Sequence, residues 1–112
     1  MTHMEVRALR QRVLPGMTDE VVSWLRAVAA SPADALAGLA EEGIVSESFF
    51  LERNLDGDYV VYVARANNMA EADRRFETSS RFFDVEARRF WDSHVTNADT
   101  LELIADLNGE RE

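Results

Sequence analysis

Residues 81–95 read RFFDVEARRFWDSHV and hold Phe82, Phe83, Phe90, Trp91 and His94, one of two histidines in the chain. An imidazole ordinarily titrates near neutral pH, so His94 is the natural candidate for proton transfer at the edge of a cavity. The competing reading is a half-buried ring satisfied by a carbonyl or an acid. A metal site is not expected, because zinc needs three or four ligands and a lone histidine among scattered carboxylates does not supply them. His3, close to the first residue, is set aside. Arg10 and Arg12 lie two apart in a strand-like segment and therefore face the same way. Their forked guanidinium groups suit a carboxylate or phosphate, or an ion pair with Glu47 or Glu52 across a sheet. Trp91 and Phe50 would provide an apolar wall, with Tyr62 and Glu52 joining from a hairpin.

Composition narrows the chemistry further. The chain has 112 residues, 46% hydrophobic, enough for one domain with a core. There is no cysteine, which excludes disulfides, thiolate nucleophiles and cysteine-ligated metals. There is no lysine either, which excludes Schiff-base chemistry. A net charge of -9 disfavours nucleic acid and anionic membrane surfaces alike. No apolar run reaches the ~20 residues that span a bilayer. The first residues, MTHMEVRALRQRV, lack the apolar stretch of a secretory signal, and a cytoplasmic location is expected. No Gly-rich phosphate loop, nucleophile elbow or diagnostic acid pair is present.

These residues must be positioned by a small set of elements. Glu5 to Leu14, ahead of Pro15-Gly16, reads as a strand of imperfect alternation. Thr18 begins a helix as its cap, and Val21, Trp24, Leu25 and Val28 recur at helical spacing. Ser31-Pro32 restarts that helix, which ends at Gly43. Ile44–Asn54 and Tyr59–Ala66 form a hairpin. A three-residue loop, Leu55-Asp56-Gly57, would pair Phe49 with Val63, Leu51 with Val61 and Glu47 with Arg65; a two-residue turn would shift that register. Asn68 and Glu71 form a capping box for a second helical region, which weakens at Ser79-Ser80 and restarts with Asp84 as cap. In its last segment Phe83, Ala87, Phe90, Trp91, His94 and Val95 share one side. The leucine-rich segment TLELIADLNG alternates like a strand, although Asp99 and Glu102 could also cap a helix. Taken as a strand, it completes the order β-α-β-β-α-β.

That order is the ferredoxin-like pattern, an α+β fold with a four-stranded antiparallel sheet and helices on one face. The short strand ending in Pro-Gly, the helix at Thr18, the segment SFFLERNLDGDYVVYV and the late aromatic helix resemble an uncharacterised prokaryotic family related to the dimeric α/β-barrel superfamily. The resemblance covers about Val6 to Leu107 and implies a single domain over 5–108, with flexible ends at 1–4 and 109–112. It also implies a homodimer, two sheets packed face to face with helices outside. Superfamily members include cofactor-free monooxygenases, haem-degrading enzymes, lactone isomerases and mutarotases, so the fold alone does not fix a reaction. The haem-degrading members use an Asn, Trp and His set. Here Trp91 and His94 are available, but the first strand has Gln11 and no asparagine, and no cofactor is expected. Two functions remain: a cofactor-independent enzyme or small-molecule binder with a pocket between sheet and helices, or a non-catalytic dimeric module.

Overall fold

The computed structural model describes residues 4–109. His3 and the outermost parts of the two ends expected to be flexible lie outside the described residues. The elements are β1 (Glu5–Arg12), α1 (Thr18–Ala30), α2 (Ala33–Glu42), β2 (Ile44–Asn54), β3 (Gly57–Ala66), α3 (Met69–Thr78), α4 (Phe82–His94) and β4 (Asp99–Thr100). They build one antiparallel sheet of order β2-β3-β1-β4, the ferredoxin-like arrangement, with each helical region split in two.

Both splits have local causes. Pro32 has no N–H to continue α1, and α2 starts afresh after it. Gly43 closes α2 in the left-handed conformation (φ 77°), donating its N–H back to the Leu39 and Ala40 carbonyls. Asn68 caps α3, its side chain accepting from the Glu71 N–H at 3.0 Å. Two expected caps do other work. Met17, not Thr18, precedes α1, and the Thr18 hydroxyl donates to Asp58 at the start of the third strand at 2.8 Å. Asp84 sits inside the first turn of α4, where a negative charge still suits the helix dipole.

The hairpin uses the shorter turn. Asn54 pairs with Gly57, so only Leu55 and Asp56 form the loop, and the expected register shifts by one residue. Phe49 lies opposite Tyr62, Leu51 opposite Val60 and Glu47 opposite Ala64. Arg65 therefore does not meet Glu47; it pairs with Asp106 at 3.2 Å instead. The turn closes on Gly57 at φ 143°, where a Cβ would also come within 2.7 Å of the Arg12 guanidinium.

This register sorts the sheet into two faces. Arg7, Leu9, Gln11, Glu47, Phe49 and Tyr62 point at the helices. By alternation Val6, Ala8, Arg10, Phe50, Val61 and Val63 occupy the reverse. Two buried clusters pin the helices to the sheet. At one end Val13, Val21, Val60 and Val95 gather Leu25, Phe49, Phe90 and Trp91 around them. At the other, the small side chains of Ala64 and Ala66 let α3 sit close through Met69 and Ala72. A cavity lies between the clusters.

The last strand is a stub. Asp99 and Thr100 pair with Arg10 and Leu9, and the Leu101 N–H still reaches the Ala8 carbonyl. Residues 101–109 are neither strand nor helix. The chain leaves the edge of β1 to bring Asp106 to Arg65, so ladder pairing is exchanged for an ion pair. Leu103, Ile104 and Leu107 remain exposed.

Candidate functional site

The space between helices and sheet is a cavity of about 440 Å³. One side is aromatic. Trp24 of α1 stacks on Phe90 of α4 at 4.5 Å and meets the edge of Trp91 at 5.7 Å. Trp91 lies parallel to Phe49 of β2 at 5.7 Å, and Phe49 in turn touches Tyr62 of β3 at 4.9 Å. Helical spacing in α4 and strand alternation in β2 and β3 aim all of these rings inward.

The other side is acidic. Glu42, at the end of α2, and Asp84, in the first turn of α4, are both buried, at 6% and 2% exposure. They meet over Gly38, whose missing side chain leaves room; a Cβ there would lie 3.1 Å from Asp84 Oδ1 and 3.6 Å from Glu42 Oε2. The Ser79 hydroxyl donates to Asp84 Oδ2 at 2.6 Å. Among the described residues no donor reaches Glu42 Oε2. Burial pushes the Glu42 carboxyl up to about 8, and the neighbouring Asp84 charge and hydrogen bond and the Glu47 charge add to the shift against a smaller opposing effect of Arg81. Near neutral pH Glu42 is therefore mostly a protonated acid, able to donate. Beside it the Tyr62 hydroxyl donates to Glu47 Oε2 at 2.6 Å. Burial raises Glu47 above the usual carboxylate range, against the lowering effect of that hydrogen bond. Burial also raises Tyr62, followed by the charge of Glu47.

Arg7 enters from β1 but is engaged by Asp73 of α3 through two hydrogen bonds of 2.5 and 2.7 Å, which raise its pKa. Its Nε is buried without a partner. Arg88 spends its guanidinium on the Phe76 and Ser79 carbonyls at the end of α3. Among the described residues no group of three or more His, Cys, Asp or Glu side chains could hold a metal ion.

Of the residues singled out from sequence, Tyr62 and Trp91 line this cavity. His94 does not. Its Nε2 faces Glu20 Oε2 at 2.7 Å, its Nδ1 faces the Phe90 carbonyl at 2.8 Å, and its ring stacks on Phe90 at 3.9 Å. Arg10, Arg12 and Phe50 lie on the reverse of the sheet. Arg10 donates to Glu52 at 2.9 Å and covers the Tyr59 ring at 3.6 Å, and Arg12 donates to the Asp56 carbonyl. Phe50 is 58% exposed, opposite Val61. The acidic end escaped sequence reading, but α2 carries one warning. Glu41 and Glu42 occupy its last turn with no basic residue there, against the helix dipole. A carboxyl placed so unfavourably needs another reason to be where it is.

Solved structures share this fold. A NIPSNAP family protein of Agrobacterium tumefaciens superposes with a TM-score of 0.61 at 14% identity, covering 97% of this chain and 100% of that one. PA3566 of Pseudomonas aeruginosa gives 0.58 at 17% identity, covering 94% and 99%. A variant of SnoaB, a cofactor-independent oxygenase of Streptomyces nogalater, gives 0.53 at 17%, covering 93% and 96%. At such identities the likeness is one of fold, the ferredoxin-like fold. No curated protein matches the chain. Over residues 4–112 the sequence matches DUF6176, a family of unknown function, and the chain belongs to that family.

Proposed function

We propose that this is a homodimeric, cofactor-independent small-molecule-binding protein whose ligand occupies the cavity of each protomer and exchanges a proton with Glu42. One observation carries the reading. A cavity of about 440 Å³, in the size range of ligand pockets, has a buried carboxyl oxygen without a partner in its wall. A purely structural module would pair its inward polar groups, because an unpaired buried one costs about 1–3 kcal/mol. Here no donor reaches Glu42 Oε2, and Arg7 Nε is unpaired. Tyr62 and Trp91 contact the ligand in this reading. The proton-handling role falls to Glu42 rather than His94, whose two nitrogens already have partners.

Indole, a small neutral aromatic probe, tests the cavity. It should raise the melting temperature of the wild type by a few degrees. Ala35→Phe, which places a ring in the cavity from the half-buried face of α2, should abolish the rise. Equal responses in the two proteins would place the probe elsewhere and remove the cavity as the site.

Dimerisation rests on the reverse of the sheet and on the tail. Phe50, Val61, Val63, Val6 and Ala8 form an apolar surface that no helix covers, beside the exposed Leu103, Ile104 and Leu107. A second copy placing its own sheet there buries both surfaces at once. Sedimentation should give twice the 12.7 kDa chain mass. Phe50→Asp should weaken association by about 2–4 kcal/mol, as expected for a central aromatic replaced by an unpaired charge. A monomeric wild type at micromolar concentration rejects the dimer and leaves the cavity reading intact. The same reading places the protein in the cytoplasm, where a cysteine-free chain is at home; among the described residues no helix is long and apolar enough to cross a membrane.

A further inference from the structure

The ionic groups of the cavity are unequal in number and in availability. Six carboxyl groups line it, from Glu42, Glu47, Asp73, Glu77, Asp84 and Asp92, against two guanidinium groups, from Arg7 and Arg88. Both guanidiniums are already engaged. Arg7 is held by both oxygens of Asp73 and Arg88 by two backbone carbonyls. Arg81, the other basic group beside Glu42, is turned toward Glu41 at 3.1 Å. Among the described residues an anionic ligand would find no free cation and several carboxylates. Arg7 Nε, buried without a partner, belongs to a guanidinium neutralised by Asp73 and suits a neutral acceptor.

The open acceptor is placed differently. Glu42 Oε2 is buried with no donor reaching it, has the Asp84 and Glu47 carboxyls close by, and lines the same cavity as the Trp24, Trp91 and Phe49 rings. A cation there would form charge-assisted hydrogen bonds and relieve the crowding of carboxyl groups, while π faces favour both flat apolar bodies and positive charge. We infer that the ligand of this cavity is an aromatic amine, its ring seated among Trp24, Phe49 and Trp91 and its ammonium held by Glu42 and the adjoining carboxyls. The inference rests on the cavity reading above and adds the ligand's chemical class. Burial that holds Glu42 in its neutral form supports it, since the cost of ionising that group is what an incoming ammonium offsets.

Three indoles of like size and different charge test it: tryptamine as the cation, tryptophol as the neutral alcohol and indole-3-acetate as the anion. Calorimetric titration at pH 7.5 should give tryptamine binding about tenfold or more tighter than tryptophol, the scale of a hydrogen bond to a charged group, with indole-3-acetate weakest. Glu42→Gln keeps the shape and removes the charge. It should abolish the preference for tryptamine over tryptophol. Glu47→Gln, whose tyrosine partner can still bond to an amide, serves as a second variant should the first unfold. Equal affinities for tryptamine and tryptophol, or a preference that persists in both variants, overturn the amine assignment while the cavity stands as a neutral site. Tighter binding of indole-3-acetate overturns it outright. Failure of all three probes to bind rejects the cavity reading together with the inference.

Discussion

Raising the pH from 5.5 to 8.5 should weaken the fold, and Glu42→Gln should remove most of that loss. The folded protein holds Glu42 up to about 8, against an ordinary value of 4.5. Between those two values the folded state keeps a proton that the unfolded state has released, so stability falls as pH rises through the window. The contribution is complete below the unfolded value and gone above about 8. Its steepest slope is about 1.4 kcal/mol per pH unit, and relaxation with water entry should limit the total to about 2–4 kcal/mol. Glu47 is shifted the same way and adds to the trend. Urea midpoints at half-unit steps of pH measure the effect. At pH 8.5 Glu42→Gln should be the more stable protein, because its amide can bond to Asp84 without an uncompensated charge; at pH 5.5 the two should be close. A flat profile for the wild type, or parallel profiles for both, would show that Glu42 is already ionised in the native protein.

The difference between what the residues foretold and what they did not follows the range of the interactions involved. Pro32, Gly43 and the Asn68–Glu71 pair act within one helical turn, and each marks its boundary where the pattern placed it. Element order follows from such local marks, and with it the four-stranded sheet. The hairpin register is a finer matter. It turns on whether Gly57 belongs to the loop or to the strand, and in the folded chain it closes the ladder opposite Asn54. One residue of slip then decides that Glu47 meets Tyr62 rather than Arg65. The first strand hid its faces because each carries arginine and aliphatic side chains together, Arg7 and Leu9 inward and Arg10 and Ala8 outward. The acidic end depends on contacts of longer range. Glu42 and Asp84 come from different helical regions, and their meeting over Gly38 follows from how α2 and α4 pack. His94 drew notice for its residue type, but its place at the last turn of α4 puts it beside Glu20 on α1, off the cavity. The aromatic stripe in the same helix was legible because helical spacing alone assigns it to the inner side.

That stripe carries the other large effect. Trp91→Ala should cost about 2–4 kcal/mol, near the lower part of the range for deleting a large core aromatic, because Trp91 is only half-buried and borders open space. Its position sets the scale. The indole is the ring through which the helical layer reaches the sheet: edge-on to Trp24 at 5.7 Å and to Phe90 at 5.5 Å, and flat against Phe49 at 5.7 Å. Removing it breaks three ring contacts, each worth about 0.5–1.5 kcal/mol beyond burial. It also joins the new void to the existing cavity, so little collapse can recover the loss. Against a total stability of about 5–15 kcal/mol the variant should remain folded but unfold at distinctly lower urea. Trp91→Phe, which keeps a ring against Phe49, should recover about half of the loss. The same pair separates packing from binding. With the native indole gone, added indole should stabilise Trp91→Ala more than it stabilises the wild type, because the vacated volume matches the probe and opens into the same cavity. A loss below about 0.5 kcal/mol, the level of an ordinary surface change, would mean that the sheet and helices are held by the two buried aliphatic clusters alone and that the aromatic wall is there for the ligand.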